Sequence, residues 1–194
     1  MDAIEALIGR ASAPKLTGPG PTAEQMAVIL KAGSRAPDHG RMQPFRFLIF
    51  EGDARDQLGD LMAASLGRRE PATTDSVLDN ERSKPLRAPV VVAVAAEVRP
   101  NPKVPDIEQV IAAGAAAQNM LLAAHALGLG GFWRTGAASH DREVKVALGF
   151  APSDVIVGFL YFGSPISPAP DRPVDVESLT RRWASERTPN ATIG

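Results

Sequence analysis

Three short segments concentrate the side chains that can do chemistry. The first is Arg10-Ala11-Ser12. A guanidinium and a hydroxyl beside backbone N–H groups suit a phosphate or a polyol, because a planar donor fork and a short O–H both satisfy ligand oxygens. Lys15 adds charge nearby. On the tripeptide alone the competing reading is an arginine that neutralises a helix C-terminus. The second segment is Arg35-Ala36-Pro37-Asp38-His39, continuing through Gly40-Arg41-Met42-Gln43-Pro44-Phe45. It falls between a helix and a strand, where rigid elements present functional groups. His39 could donate a hydrogen bond, offer a stacking surface or act as an acid. Equally, Asp38 could cap its own backbone and leave His39 merely exposed. The third is Gly128-Leu129-Gly130-Gly131-Phe132-Trp133-Arg134-Thr135-Gly136. Glycines let backbone N–H groups approach a flat ligand, Trp133 offers a planar wall, and Arg134 can reach an anion. The alternative is a helix C-cap at Gly128 followed by a strand with Phe132 and Trp133 in the core.

Other chemistries fall away. The 194 residues include no cysteine, which removes disulfides, iron–sulfur ligation, thiolate zinc and a Cys nucleophile. Three scattered histidines (His39, His125, His140) make no metal site. Ser12, His39 and Asp38 form a triad only on paper, since no serine sits in a G-x-S-x-G elbow. The glycines of 128–136 are not spaced as G-x-G-x-x-G and follow a helix, so a Rossmann fingerprint is rejected. With 21 Lys+Arg against 22 Asp+Glu the formal charge is −1, which argues against nucleic-acid binding. The N-terminus lacks the apolar core of a signal peptide. Residues 110–129 are mostly Ala and Gly, broken by Gln118, Asn119 and His125, and read as a buried helix rather than a membrane span. A cytoplasmic protein is the expectation.

These segments need elements to hold them. Asp2 with Glu5 and Thr22 with Gln25 have capping-box spacing, predicting a helix that ends near Gly9 and another over 23–34. Residues 45–51 suit a strand, and Asp53 can cap a helix over 54–66. Residues 67–84 are charged and apolar-poor, and are expected to be a flexible excursion. The apolar run 90–96 predicts a central strand buried on both faces. Three prolines make 99–105 a loop, and Asp106 is expected to cap a long Ala-rich helix over 107–127. Ser139 or Asp141 starts a short helix ended by Gly149, and 155–162 is another strand. Strands and helices mix without strict βαβ alternation, which gives an α+β expectation: a small sheet covered by helices. The Ala/Gly face of the long helix suits close packing, in a monomer core or across a dimer axis. Pro165, Pro168, Pro170 and Pro173 predict an extended, rigid tail.

The order and spacing of these segments, from Met1 to about Pro165, resemble the FMN-dependent nitroreductase family, in particular its small YdjA-like subgroup of NAD(P)H nitroreductases. The resemblance is carried by Met1-Asp2-Ala3-Ile4-Glu5, Arg10-x-Ser12, Arg35 through His39 and Met42-Gln43-Pro44. It continues in Gly130-Gly131-Phe132-Trp133-Arg134 and Ile156-Val157-Gly158-Phe159-Leu160-Tyr161-Phe162-Gly163. It implies an α+β, nitroreductase-like fold: a small, mainly antiparallel sheet flanked by helices, in an intertwined homodimer with two FMN sites at the interface. It further implies one domain over 1–194, with the Pro-rich extension 165–194 packed on the partner. Carried over, Arg10, Ala11 and Ser12 hold FMN phosphate and ribityl, while Arg35 and His39 come from the partner. Gly131 or Phe132 backbone lies near flavin N5, and Trp133, Arg134 and Thr135 complete the first subunit's shell. Arg82 or Lys84 is a candidate cation for flavin N1 and O2. No side chain is implied as catalytic and no metal is required.

The implied chemistry is electron transfer from NAD(P)H through flavin N5 to a nitroaromatic, quinone or similar small acceptor, in ping-pong order. Another flavin reaction such as enone reduction, or a non-catalytic protein that sequesters or senses FMN, are the alternatives. Two positions depart from the pattern. Ala11 stands where many members carry Arg or His, which implies a looser hold on FMN. His39-Gly40-Arg41-Met42 replaces the usual asparagine of the second motif.

Overall fold

The computed structural model describes residues 1–13, 15–167 and 173–183. In chain order its elements are α1 (Ala3–Gly9), β1 (Leu16–Thr17), α2 (Ala23–Gly33), β2 (Phe45–Glu51), α3 (Ala54–Arg69) and α4 (Asp75–Arg82). There follow β3 (Val90–Ala96), α5 (Asp106–Ala126), β4 (Gly130–Arg134), α6 (Arg142–Ala147) and β5 (Val155–Pro165). Both capping boxes form: Asp2 and Glu5 close α1, and Thr22 and Gln25 close α2. Each satisfies two backbone donors that a helix start leaves orphaned.

The strands make one five-stranded sheet in the order β1-β5-β3-β2, with β4 also on β5. Every pairing is antiparallel. All seven residues of β3 are buried, which is why the strand reads as an unbroken apolar run. On one face Met26 and Ile29 of α2 and Met120 and Leu121 of α5 pack against Val92 and Phe162. On the other, Leu58 and Met62 of α3 and Val144 of α6 cover Phe159 and Tyr161. The result is helices, sheet, helices, as the α+β pattern anticipates.

One irregularity matters below. The β3–β5 register passes from Val94↔Gly158 to Ala95↔Ile156, so Val157 is bulged out of the ladder. Its carbonyl accepts the indole N–H of Trp133 at 2.9 Å. A backbone acceptor lost to the bulge is thus recovered by a side chain on the neighbouring strand.

The expected excursion over 67–84 is instead ordered helix. α3 continues to Arg69, α4 spans Asp75–Arg82, and a 3₁₀ turn follows at Lys84–Arg87. α4 has no buried residue, so no apolar stripe announces it. It is held by backbone approach and charge. A Cβ on Gly59 of α3 would collide with the Arg82 carbonyl oxygen. The Arg82 guanidinium pairs with Asp60 and Asp79, and Lys84 pairs with Glu81. One start also shifts: Asp106 lies inside the first turn of α5 behind Pro105. Of the two starts expected for α6, Ser139 and Asp141, it is Asp141 that caps the helix. Among the described residues no helix is long and apolar enough to cross a membrane. Of the 165–194 extension, 168–172 and 184–194 lie outside the described residues.

Candidate functional site

The Arg10-Ala11-Ser12 segment is laid along the open edge of β4. Arg10 ends α1, its backbone N–H donating to Ala6. Three residues on, Ala13 N–H donates to the Gly131 carbonyl at 3.1 Å. The glycines make this approach possible. A Cβ on Gly130 would sit 3.1 Å from Ala13 Cβ and against Leu16, and one on Gly131 would sit 2.9 Å from Leu121. Side chains alternate along β4. Phe132 and Arg134 face the α3 side of the sheet, whereas Gly131 and Trp133 face α5.

Two cavities flank this strand. One, of about 380 Å³, is lined by Arg10, Ala11, Gly131, Leu121, His125 and Ser167 among others. The second, of about 430 Å³, opens at the far end of β4, where Arg134, Thr135 and Gly136 meet Phe132 and Tyr161. Arg69, Lys84 and Arg87 also line it, against the two acids Glu70 and Glu81. The Phe132 and Tyr161 rings stack with centroids 4.5 Å apart. The Arg134 guanidinium lies over Phe132 at 5.6 Å from its centroid. Gly136 holds φ +102° and a Cβ there would meet nothing within 4 Å, so the backbone at this point stands open. Burial pushes the Tyr161 phenol up to about 12 despite the opposing charges of Arg87 and Arg134. It is therefore an O–H at neutral pH.

The candidate residues are sorted rather than gathered. Arg10, Ala11 and Gly131 share the first cavity; Phe132, Arg134 and Thr135 share the second; Ser12 is exposed beside the first. The Trp133 indole is pinned by Val157 and packs toward α5 with the sheet core. Both candidate cations are ion-paired, Lys84 with Glu81 and Arg82 with Asp60 and Asp79, but only Lys84 lines the second cavity. Sequence reasoning missed Arg87 and Tyr161. Tyr161 lies inside the β5 motif that carries the resemblance, but only its stacking on Phe132 marks it as part of a cavity wall.

Arg35 and His39 lie elsewhere. The loop after α2 is strained: Gly40, Arg41 and Gln43 hold φ of +70°, +54° and +46°. Several contacts hold this shape. The Asp38 carboxylate accepts Gln43 N–H at 2.6 Å, and the Arg99 guanidinium donates to the Met42 carbonyl. Asp38 does cap its own loop, but His39 is not idle: its Nδ1 contacts the Glu108 carboxylate at the start of α5. The Ser12–His39–Asp38 triad therefore does not assemble. Gly9 and Arg10 sit at the other end of α5, where His125 Nε2 would lie 3.7 Å from a Cβ on Gly9. From residue 108 to residue 125 an α-helix rises about 25 Å. Within one chain, Arg10 and His39 are at opposite ends of that helix. Among the described residues no cluster of side chains could hold a metal.

The fold is thus an α+β one: an antiparallel sheet flanked by helices, with two cavities of small-molecule size beside an edge strand. The chain belongs to the nitroreductase family, a family of oxidoreductases: the family model matches residues 8–164. It is 44% identical over 165 residues to YdjA of Escherichia coli (strain K12), whose provisional name is NAD(P)H nitroreductase, covering 85% of this chain and 89% of the relative. A nitroreductase-like family protein from Bacillus cereus superposes with a TM-score of 0.80 at 21% identity, covering 94% and 96% of the two chains. A protein from Desulfovibrio desulfuricans, crystallised with FMN and provisionally named a nitroreductase, gives 0.72 at 27% identity, covering 94% and 97%. The nitroreductase-like fold with its small antiparallel sheet is thereby established.

Proposed function

We propose that this chain is an FMN-dependent oxidoreductase that passes electrons from NAD(P)H to a nitroaromatic, quinone or similar small acceptor. The observation that carries the reading is the donor-rich cavity at the end of β4. Lys84, Arg87, Arg69 and Arg134 outnumber Glu70 and Glu81, and the Tyr161 hydroxyl stays protonated. Such a lining favours an electron-rich, acceptor-bearing edge, which is what the pyrimidine of a reduced flavin presents. The fit is supported by size, since both cavities fall in the range of small-molecule sites. It is also supported by the unfilled space over Gly136.

FMN supplies the two-electron chemistry at N5, first from NAD(P)H and then to the acceptor. The protein groups bind and orient. In this reading Arg10 and Ser12, with Ala11 backbone, hold phosphate and ribityl. Gly131, Phe132, Trp133, Arg134 and Thr135 line the flavin, Lys84 and Arg87 face its pyrimidine, and a partner subunit's loop supplies Arg35 and His39. A homodimer is part of the proposal. On α5 an outward stripe carries Ile107 and Ile111, both exposed, and the half-buried Leu122. A reaction that consumes reduced nicotinamide belongs where that pool is, and the cytoplasm is the compartment proposed. The test is direct. Protein loaded with FMN is mixed anaerobically with NADH or NADPH, then with a panel of acceptors. Bleaching by the nicotinamide and recolouring by an acceptor are expected. A yellow protein that neither nicotinamide bleaches is a flavin binder without turnover, and the reading falls.

A further inference from the structure

We infer that Glu108 is a positioning residue for His39, fixing which ring nitrogen a ligand meets. This rests on the reading that His39 faces a flavin. Glu108 stands on the first turns of α5 and His39 on the 3₁₀ turn after α2, 69 residues apart in sequence. Its carboxylate meets Nδ1 of the ring. An ionised carboxylate only accepts, so the proton of the contact belongs to Nδ1. Nε2 is then the nitrogen left for anything else. In the neutral ring Nε2 is an acceptor, and only a protonated ring donates from it. A neutral His39 free of Glu108 could present either nitrogen in either role.

The loop supports the same end. Asp38, the nearer carboxylate in sequence, is occupied by Gln43 N–H. Gly40 runs at positive φ close to Val104, and Arg46 donates to the Gln43 carbonyl at 2.9 Å. The loop backbone is thus fixed independently, and Glu108 is left with the ring alone. The ordinary alternative is a surface pair of no consequence. The side chains are 58% and 41% exposed, and pairs so exposed contribute little to stability. That exposure is what makes the idea testable, because the variants should fold.

The experiment measures two quantities on the full-length protein. The first is the ¹⁵N signature of the His39 ring in the FMN-free protein, which reads the tautomer. The second is the dissociation constant for FMN in wild type, Glu108→Ala, Glu108→Gln, His39→Ala and the His39→Ala/Glu108→Ala double variant. Glu108→Ala should shift the ring away from the Nδ1–H form and weaken FMN about three- to tenfold, the worth of one hydrogen bond. Glu108→Gln still offers a carbonyl acceptor and should stay within about twofold of wild type. In the His39→Ala background, Glu108→Ala should cost nothing further. An unchanged ring signature in Glu108→Ala, or losses that add in the double variant, overturns the proposal. A wild-type protein that binds no FMN fails on the flavin reading instead, a different result from an intact FMN site indifferent to Glu108.

Discussion

Arg10 makes no ion pair among the described residues. Its charge borders the first cavity and is available to a ligand. Arg10→Ala should therefore weaken FMN by about ten- to a hundredfold, the value of a charge-assisted contact of roughly 1.5–3 kcal/mol. Its melting temperature should hardly move. An unchanged flavin titration with a lowered melting temperature would assign Arg10 to the helix end alone. Lys84 and Arg82 give a paired contrast. Lys84→Ala should weaken FMN or lower the flavin midpoint potential, while Arg82→Ala should leave both alone and lower stability. Equal flavin effects from the two would sink the cavity assignment. Arg10, His39 and Arg134 were nameable as candidates from sequence because their types and neighbours already suggest ligand chemistry. Tyr161 and Arg87 were not, because what makes them relevant is burial and the company of other donors. Even for His39 the sequence pointed to Asp38 as its neighbour, whereas the residue that meets it lies on a distant helix.

At the scale of elements, Asp141 joins α6 to α3. It caps α6 by accepting the N–H groups of Glu143 and Val144. It also accepts Ser65 Oγ at 2.5 Å and the Arg68 guanidinium at 2.9 Å. Burial alone would raise its pKa, but those hydrogen bonds from Ser65, Glu143, Val144 and Arg68 outweigh it and hold the carboxyl below the usual aspartate value. A depressed folded pKa stabilises above the unfolded pKa, near 3.9, and that contribution is lost as pH falls through the folded value. Asp141→Ala should cost about 1–3 kcal/mol at pH 7 in urea unfolding, and the gap from wild type should shrink below about pH 4. A gap independent of pH would deny the charge its role. The α6 start was legible to within two residues, since Ser139 and Asp141 could each cap a helix there and the fold uses Asp141. α4 was not, since Val77 and Leu78 are its only apolar residues, too few for a stripe, and a glycine contact and surface ion pairs dock it. Gly59→Ala tests that account. The added Cβ should drive α4 off α3 and lower stability by about 1–3 kcal/mol, and an Ala variant as stable as wild type would show that the packing is looser than described.

At the scale of the molecule, α5 measures the separation between the two halves of the proposed site. Arg10 lies near its C-terminal end and His39 at its N-terminal end, about 25 Å apart by helix rise. One flavin bound at Arg10 cannot also lie against the same chain's His39. A two-fold axis resolves this. If the outward stripe of α5 crosses its own copy antiparallel, the start of one helix comes beside the end of the other. Two equivalent sites then form, each with Arg10 from one chain and His39 from the other. The exposed Ile4, Leu7 and Ile8 of α1 and Ile107 and Ile111 of α5 give such an interface its apolar surface. Sedimentation should accordingly find a dimer, and a folded, FMN-saturated monomer would overturn it. The Ala/Gly character of α5 was visible in sequence, but not which side it would leave open, because that depends on where α2 and the sheet settle. Mixing subunits tests the geometry itself. In a heterodimer of one Arg10→Ala chain and one His39→Ala chain, the intact Arg10 and the intact His39 meet at a single site, and both losses fall on the other. Flavin titration should then find about one tight site per dimer, and each single-variant homodimer should show two equally weakened sites. Two equally weakened sites in the heterodimer would mean that both residues serve the same flavin from the same chain. The helix-length argument would then have failed together with the shared site.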